Sequence, residues 1–312
     1  MLLLSKESEN VLKRLKETMY GKTGDENEDI NTLIKNFMST LSIQDDLSEQ
    51  NAETSDDFLE LANSAPTKKK ALQYAKKALE LDPDNLDAEI MIADLSATTP
   101  EKLVDKYKKL IDKATKKLKK QGFFSEDCIG DFWLITETRP YMRLRLNYLD
   151  TLIEATRIHL AIDECNEMLR LCKNDNMGVR YILMHLYVYL EDEQSALKLL
   201  EKYPEESTQF LLPLSILYYK LGNLTESTKY LEKLNEVNKD TYKFFGLLLS
   251  NNFDECLGEI NPYGYKPFTI EEFIEEMKTN IFLLSQMVVY FDWAFRKLKT
   301  IKKQTKNNLT SE

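Results

Sequence analysis

Apolar side chains recur every three to four residues along most of the 312-residue chain, the spacing that places them on one face of an α-helix. The clearest stretch is Lys68–Leu81, in which the small residues Ala71, Ala75 and Ala78 follow one side. Small side chains at that spacing let two helices approach closely, and Pro83 cannot continue the helix that it follows. The pattern therefore predicts a helix that ends before Pro83 and packs tightly against a neighbour.

A second and more complete copy of this pattern spans residues 211–237. Residues 218–224 are typical of the end of one helix and a turn, and Ser227 follows where a second helix needs a small contact residue. Fainter copies are centred on Ala161 and Ala196, 35 residues apart, and Ser227 lies 31 residues after Ala196. These spacings bracket the period of about 34 residues found in helix–turn–helix repeat arrays. Because one helical pair cannot bury its apolar face alone, several pairs are expected to stack.

These segments resemble tetratricopeptide repeats. Residues 71–85 are similar to the second helix and exit turn of such a repeat, and residues 211–237 are similar to a whole repeat. The resemblance implies an all-α fold, a right-handed α-solenoid of helical pairs that acts as a protein-interaction scaffold. We expect the solenoid in residues 51–262. A helical N-terminal region and acidic linker precede it in residues 1–50, and a long capping helix and basic tail follow in residues 263–312.

Two further motifs carry a narrower resemblance. Residues 137–143 read Glu-Thr-Arg-Pro-Tyr-Met-Arg, and residues 174–181 read Asn-Asp-Asn-Met-Gly-Val-Arg-Tyr. This pair of motifs is similar to a bacterial tetratricopeptide subfamily related to the suppressor-of-tumorigenicity family. The subfamily implies a cytosolic scaffold and no known reaction. Some of its members carry a cysteine-rich zinc-binding tail that has no counterpart in this sequence, so the resemblance implies no metal and no cofactor here.

The arginines of these motifs allow two interpretations. Pro140 suits the first turn of a helix, where its missing N–H costs nothing, and Asp175 is a natural cap residue. The favoured interpretation is that Arg139, Arg143 and Arg180 hold neighbouring carboxylates in fork-shaped pairs that lock the fold. The alternative is that Arg139 and Arg143 lie at the mouth of a groove and capture the carboxylates of a partner.

Partner-binding residues are expected on the first helix of each pair, because these helices line the concave groove of such an array. Aromatic and basic side chains in a groove are good anchors for a peptide. The candidates are Arg139, Arg143, Asn147, Asp150, His185, Tyr189, Gln209, Tyr219 and Lys220. For Tyr189 and Tyr219, packing between neighbouring helices is an equally good interpretation.

Residues 101–120 carry nine lysines against three acidic residues. The favoured interpretation is a solvated helix face that packs on its other side through Tyr107, Ala114 and Leu118. The alternative is an electrostatic docking surface for an acidic partner, whose binding would weaken steeply with salt.

A heptad-like apolar stripe over residues 270–298 predicts one long helix near the C-terminus. We expect it to cover the open face of the last repeat. The aromatic residues Phe282, Tyr290 and Trp293 widen the stripe beyond a two-helix seam and favour a cap. The alternatives are a structural homodimer through this helix and a peptide-sensing regulator that changes curvature when its ligand binds.

Composition and charge narrow the remaining function classes. The formal net charge of −10 disfavours binding to nucleic acid, whose phosphates are also negative. The four cysteines form no CxxC pair, which is typical of reduced residues in a cytoplasmic protein. No apolar run approaches the roughly eighteen residues of a membrane helix. The sequence therefore predicts a cytoplasmic protein without a membrane partner.

The sequence motifs of catalysis are not found. The two histidines, His159 and His185, have no motif partner nearby, and the glycine-rich phosphate loops and zinc-protease signatures do not occur. The sequence therefore predicts a non-catalytic protein with no cofactor and no metal. Its expected partner is a protein or peptide whose identity the residues do not reveal.

Overall fold

The computed structural model describes residues 47–250 and residues 265–309, with side chains described up to residue 302. It divides the chain into two compact units, which separate between Ala155 and Thr156. Each unit is considered by itself. The helical region predicted for residues 1–50 lies almost wholly outside the described residues, and the predicted three-part division of the chain stays a prediction.

The N-terminal unit is built from helices joined by short turns. Its described helices are α1 (Ser55–Asn63), α2 (Lys68–Leu81), α3 (Leu86–Ser96), α4 (Pro100–Lys120) and α5 (Arg139–Glu154), with a 3-10 turn at Thr136–Thr138 before α5. The side chains of Thr54, Thr67, Asn85 and Thr99 each accept a hydrogen bond from a backbone N–H three residues further on. Such caps satisfy donors that the first turn of a helix leaves open, and they fix where each helix begins.

Small side chains set the tight packing of this unit. Ala75 and Ala78 on α2 and Ala88 on α3 are fully buried, and they belong to one apolar cluster with Phe58 and Leu59 of α1. Without bulk at these positions α2 contacts both α1 and α3. The predicted helix over Lys68–Leu81 and its small-residue side are confirmed.

The C-terminal unit repeats the same construction. Its described helices are α6 (Ile158–Leu171), α7 (Val179–Tyr189), α8 (Glu193–Lys202), α9 (Thr208–Lys220), α10 (Leu224–Val237), α11 (Thr241–Leu249), α12 (Ile270–Thr279), α13 (Ile281–Leu284) and α14 (Val288–Leu309). Ser215 on α9 and Ser227 on α10 each donate to the other's backbone carbonyl, at 2.8 and 2.7 Å, which only a close approach of the two helices permits. The described residues contain helices and no β-strand, so the predicted all-α architecture of helical pairs is confirmed.

The long C-terminal helix predicted over residues 270–298 is divided in the structure. Helix α12 ends at Thr279 with Asn280 as its C-cap, the short α13 follows, and only α14 is long. The break turns Leu283 and Leu284 into the core, whereas the stripe positions Ile281 and Val288 stay 59% and 61% exposed. The prediction of one continuous helix was wrong because tertiary packing, not the heptad spacing, decides which residues are buried. None of the described helices is both long and apolar enough to cross a membrane.

Candidate binding surfaces

A cleft of about 780 Å³ opens in the N-terminal unit. The start of α1, the turn between α2 and α3, the second half of α4 and the start of α5 line it. Seven acidic and four basic side chains face this cleft, together with the apolar Leu81, which is 53% exposed. The cleft therefore combines an excess of negative charge with an accessible apolar contact.

Arg143, one of the groove candidates, forms a fork-shaped pair inside this cleft. Its Nε and a terminal nitrogen donate to the two carboxylate oxygens of Asp87 at 2.9 and 2.8 Å. Both side chains are half-buried, so solvent screens the pair only in part. The bidentate geometry joins α5 to the first turn of α3 and favours the structural interpretation of this arginine.

Arg139 is buried and serves the same unit. Its Nε donates to the backbone carbonyl of Trp133 at 2.7 Å, and its guanidinium lies 5.7 Å from the centre of that indole ring. Pro140 occupies the first turn of α5, as predicted. The arginine thus fastens the segment before α5 to the helix itself, and it does not point towards solvent as a ligand-capturing group would.

Asn147 and Asp150 lie further along α5 and outside the residues that line the cleft. Asn147 is half-buried and close enough to interact with the hydroxyl of Tyr107, which also contacts Asp94. Asp150 reaches solvent. The surrounding protein keeps part of the water away from the carboxylate of Asp150, which disfavours its charged form, and Glu154 repels that charge. Together these effects raise the pKa of Asp150 to about 6.

The lysine-rich helix α4 buries one side and exposes the other. Tyr107, Ala114 and Leu118 are buried, as predicted. A shallow depression of about 660 Å³ on the outer side is lined by five lysines and one aspartate. Two of these lysines pair with acids, Lys113 with Glu89 at 2.8 Å and Lys117 with Asp84 at 3.1 Å. This balance favours a solvated face over a docking surface.

In the C-terminal unit, Arg180 is also paired within the fold. It lies 2.8 Å from Asp175 and 3.3 Å from Glu205, and its guanidinium stacks 4.1 Å from the centre of the Tyr181 ring. Asp175 accepts from the backbone N–H groups of Val179 and Arg180 and thereby caps α7. Burial raises the pKa of Asp175 above its ordinary value, and the hydrogen bonds and charge of Arg180 offset part of that rise. The structure favours a lock here too.

His185 and Gln209 are buried beneath the C-terminal segment, residues 265–298. The His185 ring is fully inaccessible, with Nδ1 2.8 Å from the carbonyl of Tyr181 and Nε2 2.8 Å from a carboxylate oxygen of Glu276 on α12. Gln209 donates from Nε2 to the hydroxyl of Tyr265 at 2.9 Å. Neither side chain reaches the surface on which the sequence analysis placed it.

The aromatic candidates contact the same segment. The ring of Tyr189 lies edge-on to Phe282 with centroids 5.9 Å apart, and the Tyr219 ring lies 5.4 Å from Tyr290 and 5.1 Å from Trp293. Packing is therefore the role that the structure shows for both.

Lys220 donates to the carbonyls of Val188 and Tyr189, both at 2.9 Å. Those carbonyls belong to the last turn of α7, where a cation is favourable. Lys220 thus acts as a cap for α7 within the fold.

One signal for the burial of His185 was present in the sequence. His185 interrupts the apolar run Val179–Tyr189, whereas Glu272 and Glu276 lie beside the apolar stripe of residues 270–298 and not within it. Polar residues in otherwise apolar stripes indicate buried pairs, since an unpaired buried charge is costly. Sequence alone does not join the two stripes, because the contact is remote along the chain.

No family model and no curated protein matches this sequence. Among solved structures, the chain is similar to the crystal structure of MamA protein, with 16% identity over 61% of this chain and 95% of that chain and a TM-score of 0.42. It is also similar to YrrB, described as a TPR protein with an unusual peptide-binding site, with 18% identity over 62% of this chain and 90% of that chain and a TM-score of 0.40. At such distances the function has to be argued from this chain's own residues, and the narrower subfamily resemblance stays a prediction.

Proposed function

We propose that the protein is a non-catalytic, cytoplasmic scaffold for protein–protein interaction, and that its N-terminal unit binds a short, positively charged segment of a partner in the cleft beside Leu81. The observation that carries this proposal is the excess of carboxylates around an exposed apolar residue. A homodimer and a peptide sensor that changes curvature stay alternative hypotheses.

The charges of the cleft support a cationic ligand. Three of its four basic side chains already pair with acids of the same cleft: Arg143 with Asp87, Lys113 with Glu89 and Lys117 with Asp84. The fourth, Arg139, is buried against Trp133. The basic residues are thus occupied, and they do not offer a site for the carboxylates of a partner.

Three of the other four acidic side chains of the cleft are exposed to a ligand, and the fourth, Asp56, is half-buried. Glu53, Asp82 and Glu137 line the cleft, are exposed, and have no cationic partner among the described residues. An arginine or lysine of a partner would gain charge-assisted hydrogen bonds from them. The exposed Leu81 would receive an apolar side chain of the ligand next to that charge.

The proposal is tested with a random dodecapeptide library displayed on phage and selected on the full-length chain. We expect the selected peptides to be enriched in arginine or lysine next to an apolar residue. The best peptide is then measured against a triple variant, Glu53→Gln, Asp82→Asn and Glu137→Gln. Exposed ion pairs contribute about 0.2–1 kcal/mol each, so the three changes should weaken binding about tenfold.

The matched control carries Glu60→Gln, Glu80→Gln and Glu126→Gln. These residues are exposed, lie in the same unit and do not line the cleft, and the control removes the same total charge. We expect the control to bind like the unchanged chain. Enrichment of acidic peptides, or equal weakening of both variants, would contradict the proposal, because the attraction would then be absent or would depend only on net charge.

A further inference from the structure

The C-terminal segment, residues 265–298, covers the first helices of the helical pairs in its unit. Helix α13 contacts α7, α12 contacts α9 and α11, and α14 contacts α10 and α11. This is the surface on which a tetratricopeptide-type array would be expected to bind a partner. We call it the covered surface, and its contacts show which chemistry it accepts.

Two buried carboxylates on α12 meet polar groups of the covered surface. Glu272 accepts from the hydroxyl of Thr208 at 2.8 Å and lies 3.4 Å from the amide nitrogen of Asn238. Glu276, one helical turn later and so on the same side of α12, lies 2.8 Å from the ring of His185. The covered surface therefore offers polar partners to two glutamates at positions i and i+4 of a helix.

An aromatic side chain lies between the two glutamates in sequence. Phe273 is fully buried and stacks on Phe244 of α11, with ring centroids 4.5 Å apart and planes inclined by 11°. Phe245 contacts the same ring edge-on, at 6.2 Å. Together these contacts define the pattern Glu-Phe-x-x-Glu on a helix, which residues 272–276 supply here.

Several features oppose the docking of this segment. Phe268, at its start, has φ +61°, a conformation that bulky residues rarely adopt. The side-chain oxygen and nitrogen of Asn280 are buried without a hydrogen-bond partner among the described residues. The close approach of His185 and Glu276 is not aligned as a hydrogen bond. A segment that is strained and only partly satisfied opens more easily than a well-packed one.

We propose that the covered surface is a binding site for an external helix with the pattern Glu-Phe-x-x-Glu, and that residues 265–298 are its displaceable internal occupant. An apolar helix would offer no acceptor to the hydroxyl of Thr208 or the amide of Asn238 and no carboxylate to the ring of His185. A basic helix would lose both carboxylate contacts. The covered surface and the cleft of the N-terminal unit are different sites, so neither proposal depends on the other.

The test uses the full-length chain and a fluorescent peptide of residues 265–298 supplied in trans. In the variant Glu272→Ala/Glu276→Ala the internal occupant loses its carboxylates, whereas the covered surface is unchanged. Fluorescence anisotropy should show this variant binding the unchanged peptide at least tenfold more tightly than the unchanged chain does. A peptide that carries the same two alanines should bind neither chain.

The matched control is the variant Glu271→Ala/Glu275→Ala. It removes the same charge from the same helix, but the carboxylate of Glu271 accepts from the backbone N–H of Lys266, within the segment itself. Glu275 is half-buried and makes no hydrogen bond to the covered surface among the described residues. We expect it to bind the peptide no better than the unchanged chain. Equal binding by both variants, or no gain in the Glu272/Glu276 variant while it keeps its helix content, would overturn the proposal. Concentration-dependent dimerisation without peptide binding would also overturn it, since the occupant would then be a second copy.

A second measurement keeps the proposal testable if the Glu272/Glu276 variant does not fold. Native-state hydrogen exchange of the unchanged chain should show amides of α12 and α13 exchanging at least tenfold faster than those of α7 and α9. Equal protection of the four helices would overturn the proposal, because the segment would then open only when the whole unit unfolds.

Discussion

The two units use the same kind of helical pair, but the N-terminal unit leaves its candidate binding surface accessible and the C-terminal unit covers its own. In the N-terminal unit, basic residues at the cleft are held by internal ion pairs, and carboxylates and Leu81 stay accessible. In the C-terminal unit, the corresponding aromatic and polar candidates lie under α12–α14. The first surface is open with its arginines occupied, and the second is closed by the chain itself.

This difference shows why residue type alone does not identify a binding site. Arginine in the cleft and tyrosine on the covered surface are both residues that often anchor partners. Here the guanidinium of Arg143 is paired with the carboxylate of Asp87, and the ring of Tyr219 packs edge-on to Tyr290. Neither side chain is therefore available to a partner. What a surface can bind depends on which groups remain unsatisfied or exposed after the chain has made its own contacts.

The largest expected effect comes from truncating the aromatic side chain by which α12 packs on the covered surface. Phe273→Ala removes a fully buried ring that stacks on Phe244, and we expect the free energy of unfolding to fall by about 3–5 kcal/mol. Leu81→Ala, in the open cleft, should change it by no more than about 0.5 kcal/mol, because that side chain is largely exposed. Urea titration followed by circular dichroism measures both. Similar losses would remove the distinction between a closed and an open surface.

The next prediction compares how much the ion pairs of Arg180 and Arg143 contribute to stability. Arg180→Ala leaves the buried carboxylate of Asp175 without its cation, which should cost about 3 kcal/mol in the free energy of unfolding. Arg143→Ala leaves the half-buried Asp87, where solvent compensates in part, and should cost about 1 kcal/mol. Chemical denaturation at neutral pH compares them. If Arg143→Ala leaves stability unchanged and abolishes binding of the selected peptide, Arg143 is a ligand contact and our structural interpretation is wrong.

The parts of this structure that were predictable depend on local contacts. The bounds of α2 follow from Thr67, Pro83 and the small residues between them, and each of these acts within a few residues of itself. The break at Asn280 was missed because the apolar spacing continues through Ile281, although that side chain ends up exposed. Which surface a helix buries is decided by contacts far away in sequence, and one sequence does not show them.

The environment of His185 illustrates the same limit at the candidate site. Periodicity placed it on the first helix of a pair, and it does lie on α7. Its burial comes from Glu276, a residue of the segment that folds back over that helix. The prediction placed His185 on the right helix and missed that the chain itself covers this side of the helix.

A smaller effect tests the unsatisfied amide of Asn280, in the segment that lies over the covered surface. Asn280→Leu replaces a buried, unpartnered amide with an apolar side chain of similar size, and we expect the free energy of unfolding to rise by about 1 kcal/mol. The same change should slow hydrogen exchange in α12 and α13. Asn235→Leu, a half-buried position on α10, is the control and should stabilise the unit less. A loss of stability in Asn280→Leu would indicate that the amide does have a partner in solution.

The smallest effect concerns pH and belongs to α5 of the N-terminal unit, outside the cleft. Burial and the charge of Glu154 raise the pKa of Asp150 from its ordinary value of 3.8 to about 6, so the folded state binds more protons than the unfolded state between those values. The contribution of this carboxyl to stability therefore falls as pH rises through that window and stays unfavourable above it. Asp150→Asn should melt at the same temperature as the unchanged chain near pH 4 and at a slightly higher one at pH 7. Glu154→Gln should give part of that gain, since the repulsion from Glu154 is the second cause of the shift. A gain that does not depend on pH would show that the carboxylate charge is not its source.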